Sequence, residues 1–120
     1  SMNIEELRQY CLNKPGATED LPFGPDTLAF RVESKIFAIT NLEDLPPRVN
    51  LKCHPELAIE LREKYAGDII PGYHMNKKHW NTVYLESSVP DRYLRHLINH
   101  SYELVVAGLP PGKRKKFTPN

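Results

Sequence analysis

The side chains able to do chemistry lie in separate groups along this chain. Cys53 stands beside His54, and a thiol next to an imidazole can become an activated nucleophile. Successive residues at a strand end point to opposite sides, however, so adjacency alone does not make them a working pair. His96 and His100 have the four-residue spacing that places two imidazoles on one helical face, as metal ligands require. Asn99 and Glu103 share that side, which reads as the wet face of a helix, and Cys53-His54 has no matching second pair. No metal and no other cofactor is expected. The chain has no GxGxxG or Walker-type phosphate loop and no evident nucleophile–base constellation, so the expectation is a protein that is not an enzyme.

The most informative segment runs from Gly72 to Glu86. A basic, histidine-bearing loop leads directly into a strand that holds the only tryptophan. Alternation from Trp80 onward puts Trp80, Thr82, Tyr84 and Glu86 on one face and Asn81, Val83 and Leu85 on the other. Val83 and Leu85 supply the buried side. The opposite side then carries aromatics close to Lys77, Lys78 and His79, with Arg31, Arg48 and Lys52 contributed by neighbouring strands. Basic side chains satisfy phosphates, and aromatic faces stack on exposed bases. Arg31, Arg48, Lys52, Lys77, Lys78, His79, Trp80 and Tyr84 are therefore the candidate binding residues, for nucleic acid or for a partner.

Bulk properties limit the choice. At 120 residues with a net charge of +1, the chain is not held to DNA by overall charge, so any such binding must come from a local patch. Hydrophobic residues at 40% and charged residues at 26% are ordinary globular values and suffice for one core. Cys11 and Cys53 form no disulfide framework, and reduced thiols point to the cytoplasm. No apolar run reaches membrane-spanning length, and no signal peptide is evident. Ser1 ahead of Met2 reads as a residue left by tag cleavage.

The elements that must position these groups follow from local pattern. Asn3 and Glu6 make a capping box for a first helix, ended by Pro15-Gly16. Ala17 to Asp26 reads as a loop or a short extended piece. Leu28, Phe30 and Val32 alternate through one strand, and Ile36 to Thr40 returns as its hairpin partner. Arg48 to Lys52 is a third strand. Pro55 opens a second helix, and Asp68 to Tyr73 is a short extended segment. Ser88-Val89-Pro90-Asp91 matches a capping box for a longer third helix that ends near Gly108. The basic tail from residue 110 to 120 reads as mobile.

These elements predict a single α+β domain over 1–120, a two-layer sandwich with an antiparallel sheet, helices on one face and the order α-β-β-β-α-β-β-α. The other sheet face is left partly open, with Trp80, Tyr84, Arg48 and Lys52 as the residues expected on it. Such a face could equally serve a protein partner or self-association, because aromatics anchor interfaces.

The pattern resembles the MmcQ/YjbR family of small bacterial proteins. The resemblance is carried by Tyr10-Cys11 with Lys14-Pro15-Gly16-Ala17, by Val49-Asn50-Leu51-Lys52 with Pro55-Glu56-Leu57, by His74 through Leu85, and by Pro90-Asp91. It implies a two-layer α+β fold similar to CyaY-like and secretion-chaperone-like folds, and a presumed DNA-binding role with a "double wing" motif. The short charged hairpin from Arg31 to Lys35 would be such a wing. His54 departs from the family pattern, which has Ser or Thr before the helix-opening proline.

Overall fold

The structure is a computed structural model that describes residues 1–117. Asn3 caps α1 (Ile4–Leu12) as expected, accepting from the Glu6 N–H at 2.8 Å while the Glu6 carboxylate accepts from the Asn3 N–H at 3.1 Å. Six strands follow among the described residues: β1 (Ala17–Asp20), β2 (Thr27–Val32), β3 (Lys35–Asn41), β4 (Arg48–Lys52), β5 (Ile69–Pro71) and β6 (Trp80–Tyr84). They form one antiparallel sheet in the order β1-β2-β3-β4-β6-β5. The other helices are α2 (Pro55–Lys64), between β4 and β5, α3 (Asp91–Ala107), after β6, and a short α4 (Pro111–Arg114) that follows α3. The chain is thus α+β, with the core between the helices and one sheet face.

The β2–β3 hairpin turns on Glu33 and Ser34, both at positive φ (47° and 65°), as a two-residue hairpin turn of the type I′ class demands. Within it the register shifts: Phe30 faces Ala38, but Arg31 faces Ile36. Phe37 is the extra residue of a bulge. The bulge turns both Phe37 and Ala38 toward the core, where the Phe37 ring meets Tyr102 of α3 edge-on at 5.4 Å. It also leaves Ile36 and Ile39 on the opposite face, and that determines what the open side looks like.

Several expectations are corrected. The expected order α-β-β-β-α-β-β-α gains a strand: the first part of Ala17–Asp26, read as a loop or a short extended piece, is the edge strand β1, four residues long and paired along its length with β2. Ser88 does not cap α3: the N-cap is Pro90, with no side-chain cap bond, and the Ser88 N–H and hydroxyl instead donate to Asp68. Those two bonds hold the Asp68 carboxyl below the usual carboxylate range. Thr82 does not lie on an accessible surface but is fully buried. The basic tail forms α4 and then a 3₁₀ turn at Lys115–Phe117, and the Phe117 ring packs against the core beside Gly16. A Cβ on Gly16 would meet that ring at 2.8 Å, and its φ of +72° independently favours glycine. Residues 118–120 of the expected mobile tail lie outside the described residues.

Candidate functional site: a groove on the open sheet face

The face turned away from the helices carries Ile36 and Ile39 from β3, Arg48, Asn50 and Lys52 from β4, and Trp80 and Tyr84 from β6. Cross-strand pairing sets Arg48 opposite Tyr84, Asn50 opposite Thr82 and Lys52 opposite Trp80. Two loops rise over this face. One brings Phe23, and the other, residues 72–75, brings Tyr73, His74 and Met75. Between them is a groove of about 540 Å³ lined by Phe23, Ile36, Ile39, Met75 and Trp80, with Arg48, Asn41 and Asn50 supplying polar atoms. That is within the ~300–1,000 Å³ range of small-ligand sites. Phe23 is 64% exposed and Tyr73 is 55% exposed, so the walls offer aromatic surface to solvent.

The loop over the groove is fastened to the strands. The Tyr73 N–H donates to Thr82 Oγ1 at 3.0 Å, the Thr82 hydroxyl donates to Asn50 Oδ1, and Asn50 Nδ2 donates to the Tyr73 carbonyl at 3.3 Å. This closed network explains why Thr82 is buried on a face that alternation alone marks as open. Gly72 lets the loop come close: a Cβ there would lie 2.8 Å from Trp80 Cβ and 2.9 Å from the Trp80 carbonyl oxygen. His74 adopts a left-handed conformation, φ 59°, at the turn.

The second half of the loop, carrying Lys77, Lys78 and His79, is held by a residue that sequence reasoning missed. Arg62, on α2, donates through Nε to Asn81 Oδ1 at 2.7 Å and through Nη2 to the carbonyls of Lys77 and Trp80. Asn76 adds a side-chain bond to the Lys78 N–H at 2.9 Å, and the His79 carbonyl accepts from the Cys53 N–H at 2.8 Å. The backbone is fixed while Lys77, Lys78 and His79 remain exposed. Among the described residues no ion pair engages either lysine.

The expected basic residues are not equivalent. Arg48 lines the groove but is half-buried, bonded to Asp44 at 3.0 Å and to the Tyr84 hydroxyl at 3.3 Å, with the Tyr73 ring 5.3 Å from its guanidinium. The Tyr84 bond foremost, and the Asp44 charge with it, raise the Arg48 pKa against the effect of burial. Arg31 lies on the same face toward the β1 edge, tied to Asp20 at 2.9 Å and to the Ser34 carbonyl at 2.8 Å. The hairpin proposed as a wing therefore has one of its two cations, Arg31, internally engaged, while Lys35 is exposed. Lys52 is half-buried beside Trp80, whose ring is itself half-buried. The site thus joins Arg48, Lys52, Trp80 and Tyr84 with the Lys77–His79 loop, and sets Arg31 apart.

The groups considered for other chemistry have structural roles. Burial pushes the Cys53 thiol up to about 11 and the Cys11 thiol up to about 12, so both are protonated at neutral pH. His54 Nδ1 accepts from the Glu56 N–H at 3.3 Å and caps α2, and His100 Nε2 accepts from the His54 N–H at 3.2 Å. His96 stacks on Tyr93. Among the described residues no group of three or more His, Cys, Asp or Glu side chains is placed to hold a metal ion, and no helix is long and apolar enough to cross a membrane.

Comparison with known proteins agrees with the fold. The YjbR family model matches residues 12–104. The YjbR protein of Escherichia coli K12 is 42% identical over 114 residues, covering 95% of this chain and 96% of its own. The YbdF protein of E. coli O157:H7 is 37% identical over 115 residues, covering 96% and 93%. Among solved structures, the Deinococcus radiodurans protein DR2400, with its DUF419 domain, superposes with a TM-score of 0.90 at 39% identity, covering 96% of this chain and 87% of that one. A Pseudomonas syringae protein superposes with a TM-score of 0.74 at 32% identity, covering 86% and 98%. The chain belongs to the YjbR family.

Proposed function

We propose that the protein is a DNA-binding module, non-enzymatic, that takes single-stranded rather than duplex DNA into the groove of the open sheet face. The observation that carries this reading is the adjacency of an aromatic-walled groove to an exposed dilysine whose backbone is held and which no ion pair engages among the described residues. A splayed-out base can stack on Trp80, Phe23 or Tyr73, at about 1–3 kcal/mol per base, while Lys77 and Lys78 meet the phosphates beside it. A duplex keeps its bases stacked and paired, so a concavity of this size has nothing to receive from it. The net charge of +1 fits a local contact of this kind better than a broad duplex-binding surface. The test is Trp80 fluorescence: a short oligodeoxythymidylate should quench it, and the same length of duplex should not.

A second reading, a peptide segment of a protein partner or of a second copy of this chain, is favoured by one specific observation. Arg48, the one cation lining the groove among the described residues, is matched by Asp44, which leaves the centre of the groove apolar within a mixed rim. Binding of that kind would be nearly indifferent to salt and would survive loss of Lys77 and Lys78.

A further inference from the structure

On the opposite side of the molecule, between α1, the end of α2 and α3, lies an open cleft of about 930 Å³. Three rings form a ladder along it. Tyr65 stacks on Tyr93 with centroids 6.0 Å apart and planes 29° from parallel, and Tyr93 stacks on His96 at 5.7 Å and 19°. Arg92 and Arg95 stand on the same helix as Tyr93 and His96, at the three-residue spacing that brings side chains to one face. Among the described residues no ion pair engages either arginine. Among the described residues no carboxylate lines the cleft; the Glu60 charge reaches Tyr93 from α2. The far wall is preset by a bond from the Tyr10 hydroxyl to Asn99 Oδ1 at 2.7 Å, which leaves the Asn99 amide N–H groups as donors.

We propose that this cleft is a second binding site, for a mononucleotide: its base extends the ring ladder at the exposed His96 end, and its phosphate lies between Arg92 and Arg95. The chemistry selects for both halves of such a ligand. Paired guanidiniums without a carboxylate partner favour a phosphate dianion, which they can grip through parallel N–H bonds. A ladder with one free face favours a flat ring, and the nearby cations favour it further if it carries negative charge. A simple anion would use the arginines and leave the ladder idle, and a neutral aromatic would do the reverse. The proposal does not rest on the groove described above, which lies on the other sheet face and shares no residue with the cleft.

The test is a titration of the full chain with adenosine 5′-monophosphate and uridine 5′-monophosphate, followed by the His96 imidazole and Tyr93 ring resonances. Adenosine and inorganic phosphate serve as component probes. The expected result is saturable shifts with at least one nucleotide, and affinity lowered at least about tenfold in the double variant Arg92→Gln/Arg95→Gln, since each charged hydrogen bond removed is worth more than a factor of ten. His96→Ala, at an exposed position, should weaken the nucleotide and leave the response to phosphate alone unchanged. Lys77→Ala/Lys78→Ala should change nothing. Three results would overturn the proposal: no shift with either nucleotide, full affinity in the double glutamine variant, or phosphate or adenosine alone binding as tightly as the nucleotide. Loss of binding in the double lysine variant would overturn it too, by assigning the nucleotide to the groove.

Discussion

Arg62 Nε donates to Asn81 Oδ1 at 2.7 Å, and through this contact a helix on one side of the sheet governs a loop at its end. The same guanidinium satisfies the carbonyls of Lys77 and Trp80, so a single side chain fixes the backbone that presents the lysines. Arg62→Ala should cost about 1–3 kcal/mol of stability by leaving these acceptors without their donor. Arg62→Lys should not restore it, since an ammonium cannot span three acceptors as a planar fork does. Denaturant unfolding, with amide exchange at residues 76–79, reads both effects; unchanged exchange there would show that the loop is held some other way.

Gly72→Ala tests the close approach of the other half of the loop. The added methyl group would sit 2.8 Å from Trp80 Cβ, against strand rather than against a flexible chain end. The expected outcome is a loss of about 1–3 kcal/mol and a change in Trp80 emission as the loop lifts. Wild-type stability with an unaltered spectrum would mean the contact is looser than described.

Trp80→Ala separates folding from binding. Alanine keeps the Cβ that packs on Gly72 and removes only the half-buried ring that lines the groove. Stability should fall by about 1–2 kcal/mol, less than for a fully buried tryptophan. Affinity for single strands should fall by about 1–3 kcal/mol. A variant that does not fold would place Trp80 among the core residues.

Acid should loosen the start of α2. Burial lowers the His100 pKa, with the His54 and His96 charges acting in the same direction and Glu103 opposing them. A histidine whose folded pKa is depressed contributes stability that is present above its unfolded value, near ~6.5, and is lost as pH falls through the folded value. Protonation would also turn Nε2 from an acceptor of the His54 N–H into a donor. Wild type should therefore lose stability below about pH 6.5 more steeply than His100→Gln. Parallel profiles for the two proteins would contradict this.

Much of the fold was legible because its signals are local. The Asn3–Glu6 box, the β2–β3 hairpin, the β4 strand and the apolar stripe of α3 each depend on residues a few positions apart. What was not legible depends on distant partners. β1, with Thr18, Glu19 and Asp20, has almost no apolar character and is a strand only because β2 lies beside it. Ser88 has a good capping sequence, yet Asp68 offers its hydroxyl and N–H a stronger acceptor. The groove was half legible. Trp80 and Arg48 announce themselves by type and alternation, whereas Ile36 and Ile39 reach the face only through the Phe37 bulge, and Phe23 arrives on a loop. Arg62 carried no signal at all, being one of several charged residues on a helix.

The central claim, that the groove and its dilysine bind single-stranded DNA, is tested most directly by the salt dependence of affinity for a short single-stranded oligonucleotide, measured by fluorescence anisotropy in wild type and in Lys77→Ala/Lys78→Ala. For wild type, log K should fall linearly with log salt, by about 0.7 for each phosphate contacted. The double variant should bind more weakly to every sequence and lose about two contacts' worth of that slope. No binding at micromolar protein in low salt, or a salt-insensitive affinity that the double variant leaves intact, would contradict the account.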